Sequence, residues 1–325
     1  MALLNIVQAI NKTLEQQMEK DPTVVVYGED VGVEGGVFRA TQGLQQKFGE
    51  ERCFDTPISE AAIVGTGVGM AINGLKPVAE IQFDGFLFPA MSQIVAHVSR
   101  MRTRSRGRFT VPMVIRFPYG GGIRALEHHS ESQEAMLGHI PGLKIVIPST
   151  PYDAKGLLAA AIQDPDPVIF MEPKRIYRAF RQEVPDEEYI VPIGKARVVR
   201  EGTDITVVAW GAMVREAEKA AKQLEEEGIS VELIDLRSIK PIDKETIVNS
   251  VKKTGRFLVV HEAVKSYGPG AELISIVTNE AFLYLECPPS RLTAPDVVVP
   301  LDKGEHHYMI FPEQIVYQVK KLIAY

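Results

Sequence analysis

The chain has 325 residues, 45% of them hydrophobic and 24% charged, and its formal net charge is -6. This composition is typical of a soluble globular protein with about two domains. The acidic balance argues against nucleic acid or an anionic membrane as the main partner, and it permits docking to a basic protein.

The cysteines and the N-terminus indicate the compartment. Cys53 and Cys287 are the only cysteines and form no CxxC motif, which suits a reducing compartment without a disulfide or zinc framework. The first residues lack the basic and apolar regions of a signal peptide, and no apolar run approaches membrane-spanning length. We therefore expect a cytoplasmic protein that contacts no membrane.

The first half of the chain alternates short apolar runs with helical patterns. Continuous apolar strands that alternate with helices predict a parallel sheet buried on both faces. The predicted strands are residues 23–27, 77–81, 111–117, 144–147 and 168–171, and the predicted helices are residues 5–19, 60–72, 89–102 and 153–163.

Between residues 175 and 194 the pattern gives way to a charged stretch interrupted by proline, and we place the domain boundary there. A second series follows, with predicted strands at 205–210, 231–235 and 257–261 and predicted helices at 213–227, 244–253 and 269–284. The fold-class prediction is α/β, with two three-layer α/β domains at residues 1–190 and 195–325.

Two glycines lie within the helical pattern of residues 60–72. The surrounding segment neither fits GxGxxG nor follows a strand, so we expect no phosphate binding there. Gly65 and Gly69 are one helical turn apart, which gives a smooth face that another helix can approach closely. We expect an intersubunit helix contact on that face.

Glu60 stands at the start of the same helix, directly after Ile58 and Ser59. Its position has two interpretations. A carboxylate in the first turn complements the helix dipole, which is the more common case. A partly desolvated acid at this point could instead hydrogen-bond a heteroatom of a ligand.

His128 and His129 lie in a loop after the glycine run of residues 120–122. Glycine-rich loops after strand ends are common ligand-binding positions in α/β proteins. A histidine in such a loop could be an ordinary loop residue, or it could act as an acid or base, since histidine titrates near neutral pH. The residues alone leave both interpretations open.

Arginine recurs at every second position from Arg100 to Arg108. The run has no interleaved aromatic residues for base stacking, and the rest of the chain is acidic. A solvated helix end or a subunit contact is therefore favoured over nucleic-acid binding.

Several motifs together resemble one enzyme family. They are Tyr27-Gly28-Glu29-Asp30, Asp55-Thr56-Pro57-Ile58-Ser59-Glu60, Gly67-Val68-Gly69-Met70-Ala71, Pro141-Gly142-Leu143-Lys144 and Asp235-Leu236-Arg237-Ser238. The chain resembles the beta subunits of thiamine-diphosphate-dependent 2-oxo-acid dehydrogenases, a transketolase-like family, over essentially its whole length.

The resemblance implies a pyrimidine-binding N-terminal domain and a transketolase-type C-terminal domain that serves assembly. It implies an α2β2 heterotetramer with thiamine diphosphate at each interface between an alpha and a beta subunit. In this family the alpha subunit holds the diphosphate and magnesium through a Gly-Asp-Gly motif, which this chain lacks. The magnesium ligands are therefore expected in the alpha subunit.

The resemblance also implies roles for single residues. Glu60 matches the glutamate that hydrogen-bonds a ring nitrogen of the cofactor's aminopyrimidine. Glu29, Ile58, Gln82 and Phe86 match positions that line the pyrimidine, with Phe86 packed on the ring. His129 matches the substrate-side histidine, which stabilises or protonates the intermediate and helps transfer to the lipoyl group.

A structural potassium ion is a further implication of the resemblance. Asp164 and Asp166 fall in the turn where the family binds that ion, although two aspartates before prolines could equally be turn formers.

The expected reaction is oxidative decarboxylation of a 2-oxo acid, with pyruvate as the first choice, and acyl transfer to lipoamide. Branched-chain 2-oxo acids and acetoin remain alternatives, and a noncatalytic assembly subunit is the alternative of another class. Expected partners are the alpha subunit and the lipoyl and subunit-binding domains of a dihydrolipoamide acyltransferase. Asp296, Asp302, Glu305 and Glu313 could form the acidic docking surface for the typically basic subunit-binding domain.

Overall fold

The computed structural model describes residues 1–325. Its strands are β1 (Ala2–Leu4), β2 (Val24–Gly28), β3 (Cys53–Asp55), β4 (Lys76–Glu80), β5 (Val114–Tyr119), β6 (Lys144–Val146), β7 (Val168–Pro173), β8 (Gln182–Val184), β9 (Arg197–Arg200), β10 (Ile205–Ala209), β11 (Val231–Asp235), β12 (Ser238–Lys240), β13 (Phe257–Val264) and β14 (Ser290–Ala294).

The helices connect these strands. They are α1 (Ile6–Lys20), α2 (Leu44–Phe48), α3 (Glu60–Ile72), α4 (Met91–Gln93), α5 (Met101–Arg104), α6 (Glu134–Gly138), α7 (Pro151–Gln163), α8 (Ala212–Glu226), α9 (Lys244–Thr254), α10 (Pro269–Ala281), α11 (Glu305–Tyr308) and α12 (Pro312–Ile323). Short 3-10 segments lie at Asp84–Ala90, Lys174–Ile176, Phe282–Tyr284 and Asp302–Gly304. None of the helices is both long and apolar enough to cross a lipid bilayer.

Two large sheets organise the chain. The first has the strand order β12-β6-β7-β5-β4-β2-β3, and the second has the order β14-β13-β10-β11-β9. Neighbouring strands are parallel except at β12 in the first sheet and β9 in the second, which pair antiparallel. A small third sheet joins β1 to β8. The carboxyl ends of β3, β2 and β4 therefore lie side by side at one end of the first sheet.

Both faces of each large sheet are buried, because successive strand residues point to opposite sides. In the first sheet, Val26 shares an apolar cluster with residues of α1 and α7, whereas its neighbour Tyr27 shares a second cluster with residues of α3. In the second sheet, Val207 packs with residues of α8 and α12, and Val208 packs with residues of α9 and α10. Each sheet is thus the middle of three layers, as the apolar strands predict.

One predicted helix is wrong. Residues 89–102 do not form a continuous α-helix, since Pro89 lies inside a 3-10 segment and a π-helical turn occupies Ile94–Val98. Proline has no amide hydrogen to extend the α-helical pattern. At the π turn the Ser99 amide donates to the Ile94 carbonyl at 3.0 Å, five residues back. The irregular backbone starts at Asp84, directly beside the predicted site residues.

The stretch predicted to contain the domain boundary is partly ordered by pairing. β8 pairs antiparallel with β1, and the Val191 amide donates to the Gly156 carbonyl of α7 at 3.1 Å. From the second half of the chain, β12 joins the edge of the first sheet. Both apolar clusters also contain residues from each half. The boundaries at 190 and 195 stay a prediction.

Candidate active site

The predicted cofactor-binding residues come together at the carboxyl ends of three adjacent strands. Glu29 directly follows β2, and Gln82 lies two residues after β4. Ile58 and Glu60 follow β3, at the entry to α3. The Thr56 amide donates to the Gly28 carbonyl at 2.9 Å, which fixes the start of that entry beside the end of β2. Parallel α/β sheets place ligands at this end of the strands.

Glu60 is the first residue of α3 and is buried. Ser59 caps the helix, and its carbonyl accepts a hydrogen bond from the Ile63 amide at 2.9 Å. The start of a helix is electropositive, so a carboxylate is favourable there. Ile58, two residues earlier, is 84% exposed. A large apolar side chain therefore stands in solvent beside a buried acid.

Glu29 is a buried and perturbed carboxyl group at this end of the sheet. It is 5% exposed, and its Oε1 has no hydrogen-bond partner. Burial, followed by the negative charges of Glu60 and Asp30, raises the pKa of Glu29 to about 7. A carboxyl group of this kind can hold or release a proton near neutral pH.

Gln82 is held by a neighbour of Glu29. Its Nε2 donates to the Asp30 Oδ2 at 2.9 Å, and Asp30 has a positive φ of 56°. This bond directs the Gln82 amide across the end of β2. The side chain of Gln82 is only partly buried, which leaves it accessible to a ligand.

An aromatic cluster begins at Phe83, directly after Gln82, and we call it the aromatic side of the site. The His129 ring lies 4.2 Å from the Phe83 ring and 5.1 Å from the Phe86 ring, measured between centroids. Phe83 and Phe86 also meet edge to face at 5.8 Å. The structure therefore brings together His129 and Phe86, two predicted site residues that are 43 positions apart in the sequence.

A close backbone approach places His129 in this cluster. A Cβ atom at Gly85 would overlap the carbonyl and side chain of His128, so only glycine fits at position 85. His128 has a positive φ of 64° and turns the chain so that His129 lies over the phenylalanines. His128 itself is exposed. This supports its interpretation as the neighbour without chemistry.

The tautomer of His129 follows from its hydrogen bond. The His129 Nδ1 lies 2.7 Å from the Glu127 carbonyl oxygen, and a carbonyl can only accept. Nδ1 is therefore the donor, and Nε2 of the neutral ring is left as the nitrogen that can exchange a proton with a ligand.

Several residues that support the site were missed from the sequence. Phe83 and Gly85 belong to the aromatic side, and Asp84 between them is fully buried near Lys174, with Oδ1 3.5 Å from Nζ. Burial raises the pKa of Asp84 to about 7, against the opposing effect of the Lys174 charge. The Asp84 carbonyl accepts from Gln133 Nε2 at 2.6 Å. The motif Phe83-Asp84-Gly85-Phe86, in which aromatic residues flank a glycine, was the sequence signal that could have identified these residues.

The predicted potassium residues lie elsewhere. The Lys144 Nζ contacts both oxygens of Asp164 at 2.7 Å, and the Arg102 Nε contacts the Asp166 Oδ1 at 2.6 Å. The Asp166 amide donates to the Asp164 Oδ1 at 2.9 Å, as in a turn. No group of three or more His, Cys, Asp or Glu side chains is arranged to hold a metal.

Two other expectations can be compared with the structure. Gln93 of α4 lies against Gly65, with its Oε1 3.2 Å from the place of a Cβ, whereas nothing lies within 4 Å of that place at Gly69. The intersubunit contact at this glycine face stays a prediction.

The placement of Glu305 on a docking surface is wrong, because Glu305 is buried and accepts two backbone hydrogen bonds.

Comparison with known proteins decides the family. The family model described as "Transketolase, pyrimidine binding domain" matches residues 3–179, and the model described as "Transketolase, C-terminal domain" matches residues 194–315. A protein of Acholeplasma laidlawii named pyruvate dehydrogenase E1 component subunit beta is 66% identical over 322 residues, which cover 99% of this chain and 98% of the relative. The chain belongs to this family of E1 beta subunits.

Further relatives agree with that membership. The protein of the same name from Bacillus subtilis (strain 168) is 49% identical over 325 residues, with 100% of each chain covered. A solved structure titled "Split gene transketolase, inactive beta4 tetramer" has the same fold, with a TM-score of 0.78 at 23% identity and 99% of each chain covered. The predicted resemblance and the two-domain α/β fold class are confirmed.

Proposed function

We propose that the chain is the beta subunit of an acetyl-transferring pyruvate dehydrogenase, which decarboxylates pyruvate oxidatively with thiamine diphosphate and transfers the acetyl group to lipoamide. The observation that carries the proposal is the buried pair Glu29 and Glu60 at the sheet end, with the Phe86 and His129 rings on the aromatic side. Membership in the E1 beta family supports it.

The residues at the sheet end fit an aminopyrimidine ring. Glu60 offers a carboxyl group to a ring nitrogen, and the unpartnered Oε1 of Glu29 can accept from an exocyclic amine. Ile58 and Phe86 offer apolar surface to the ring faces. Thiamine diphosphate, when bound, supplies the nucleophilic carbon that attacks the 2-oxo group of the substrate.

The residues of this chain would bind the cofactor and move protons. Glu60 would exchange a proton with the pyrimidine nitrogen, and the neighbouring Glu29 keeps the local charge low because it retains its own proton up to about neutral pH. The Nε2 of His129 exchanges a proton with the substrate oxygen, since its Nδ1 is engaged by the Glu127 carbonyl. The phenylalanine rings exclude water from this proton transfer.

The site needs a second subunit in this proposal. Ile58 is exposed beside Glu60, so its apolar surface is available for contact with an alpha subunit. The chain has no Gly-Asp-Gly motif for diphosphate and magnesium. An alpha subunit would supply the ligands of the diphosphate and of magnesium, and it would complete an α2β2 heterotetramer in the cytoplasm.

The preferred substrate can be identified by comparing the turnover of different 2-oxo acids. Steady-state kcat/KM for pyruvate and for 3-methyl-2-oxobutanoate should be measured on the tetramer assembled with its alpha subunit. We expect pyruvate to be preferred. A preference for the branched substrate, or turnover of acetoin alone, would overturn the choice of pyruvate, and no turnover of any of them would favour an assembly subunit.

The potassium proposal concerns the turn at Asp164 and Asp166. Their carboxylate oxygens suit a hard cation, but Lys144 and Arg102 already balance their charge. A potassium ion at this turn would have to share the oxygens of Asp164 with Lys144. We expect potassium to raise the melting temperature above its value in N-methylglucamine chloride, and Asp164→Asn to abolish the difference. Equal melting temperatures in the two salts would contradict potassium binding at this turn.

A further inference from the structure

The loop that carries His129 is tied to the C-terminal part of the chain. We call residues 120–131 the substrate-side loop, whose base is closed by a hydrogen bond from the Gly120 amide to the Glu131 carbonyl at 2.8 Å. Glu305, the first residue of α11, reaches this loop with both carboxylate oxygens. Its Oε1 accepts from the Gly122 amide at 2.8 Å, and its Oε2 accepts from the Arg124 amide at 2.9 Å.

These two bonds are partly buried and charge-assisted. Glu305 is 4% exposed, whereas Gly122 and Arg124 are exposed residues, so the carboxylate joins a surface loop to the interior of the C-terminal part. Hydrogen bonds from backbone amides to a carboxylate are among the stronger ones in proteins. Arg124 has a positive φ of 54°, a conformation that an arginine rarely adopts without such a constraint. The carboxylate therefore selects one conformation of the loop.

The glycine run explains how residues of other segments approach the loop so closely. A Cβ on Gly120 would overlap the Glu262 carboxylate of β13, and one on Gly121 would lie 2.9 Å from the Met309 Sδ. A Cβ on Gly122 would lie 2.8 Å from the Arg175 Cδ. Because glycine has no side chain, each of the three positions allows a different neighbour to pack against the loop backbone. The glycine run therefore permits the close packing of the loop against Glu262, Met309 and Arg175.

The other end of the same loop carries His129. The His128 backbone packs on Gly85, and the His129 ring contacts Phe83 and Phe86. Four residues separate Arg124 from His129. A displacement at the Glu305 end would therefore be transmitted through a short, exposed segment to the His129 ring.

We propose that Glu305 is a positioning residue for the reaction: it fixes the substrate-side loop so that His129 lies against Phe86. The proposal rests on the proposed function, from which it takes the role of His129. It changes the role of the C-terminal domain, which would then contribute to the geometry of the active site as well as to assembly.

The structure predicts a graded effect of substitution. Glu305→Ala leaves the Gly122 and Arg124 amides, whose bonds are partly buried, without their carboxylate acceptor. Glu305→Gln retains one acceptor oxygen, and its amide nitrogen cannot accept from the second N–H. We expect kcat/KM for pyruvate to fall about tenfold or more in Glu305→Ala and less in Glu305→Gln. Glu226→Ala, at an exposed position of α8, is the matched control and should show the unsubstituted rate.

A double-mutant cycle on the assembled tetramer separates positioning from a general structural role. The variants are Glu305→Ala, His129→Ala and the two combined. If Glu305 acts through His129, Glu305→Ala has little further effect when His129 is absent. The same fold loss in both backgrounds would overturn the proposal, as would full activity of both Glu305 variants.

Hydrogen exchange gives a readout that needs no turnover. Peptides from the substrate-side loop should exchange faster in both Glu305 variants of the tetramer, while peptides from β13 and α12 keep their rates. Unchanged exchange in the loop would overturn the proposal. Failure of the proposed function would instead appear as an inactive unsubstituted tetramer, and exchange would still decide whether Glu305 holds the loop.

Discussion

Glu29 and Glu60 lie together at the carboxyl end of the first sheet, one directly after β2 and the other at the start of α3. Burial is the largest cause of the rise in the pKa of Glu29 to about 7, and the negative charge of Glu60 is the second largest cause. Two acids so close cannot both ionise without cost. The pair can therefore hold one proton at neutral pH, which suits the proposed proton exchange with a ring nitrogen of the cofactor.

The raised pKa of Glu29 predicts a pH dependence of stability. As the pH rises from the ordinary glutamate range to about 7, the unfolded chain releases a proton that folded Glu29 retains. The folded state therefore loses stability across this window, and the loss is complete above it. Glu29→Gln removes the effect.

The isolated chain provides the measurement for Glu29. We expect Glu29→Gln to gain up to about 2 kcal/mol relative to the unsubstituted chain between about pH 5 and about pH 8, measured by urea unfolding. Glu50→Gln, at an exposed position, should show no such trend. A constant difference across the range for Glu29→Gln would contradict the buried, protonated state.

A buried ion triad supports the sheet under the site. Arg116 of β5 contacts Glu172 through Nε at 2.6 Å and Nη2 at 2.9 Å, and it also contacts Glu80 of β4. All three side chains are buried. Arg116→Met would leave two buried carboxylates without a countercharge, which costs about 3 to 5 kcal/mol.

Urea unfolding of Arg116→Met tests the triad. Lys20→Met is the matched control, since Lys20 pairs with Glu188 at the surface and such exposed pairs contribute less than about 1 kcal/mol. A loss as small as that of the control would show that the triad contributes little to folding.

The shared site predicts that the isolated chain binds thiamine diphosphate very weakly. The chain offers contacts to the pyrimidine alone and no Gly-Asp-Gly motif for diphosphate and magnesium. Titration calorimetry should detect negligible heat with the chain alone and clear binding after the alpha subunit and magnesium are added. Submicromolar binding by the chain alone would contradict the division of the site between subunits.

The docking prediction now rests on three acids. Asp302 and Glu313 are exposed, and Asp296 accepts from the Ser266 amide and hydroxyl, both at 2.8 Å. We expect the triple amide variant to associate more slowly with the acyltransferase and to show a weaker salt dependence, because electrostatic steering is reduced. Activity of the tetramer with an artificial acceptor should persist. Unchanged association across a salt series would reject this surface.

Regular elements were predictable because their patterns are local. The helix predicted at residues 60–72 matches α3 at both ends, and the buried strands β2, β4, β5 and β7 were found from apolar runs. Three-residue strands such as β1 and β8 carry too little periodicity to be recognised. The π-helical turn at Ile94–Val98 was also missed, since it interrupts a sequence with good helical spacing.

The site was predictable only in part. Residue types and motifs pointed to Glu60 and His129, but no local pattern places the His129 ring against Phe83 and Phe86. That contact depends on Gly85 and on the positive φ of His128. Glu305 was assigned to the surface because its pairing with the Gly122 and Arg124 amides joins residues that are far apart in the sequence.

The central claim is that Glu60 performs proton chemistry at a site completed by the alpha subunit. Its most direct test is the rate of pyruvate decarboxylation by the assembled tetramer that carries Glu60→Gln. The amide has the size of the acid and lacks its proton, so we expect the tetramer to assemble normally and kcat to fall by about a hundredfold or more. A Glu60→Gln tetramer with the full rate would contradict the claim.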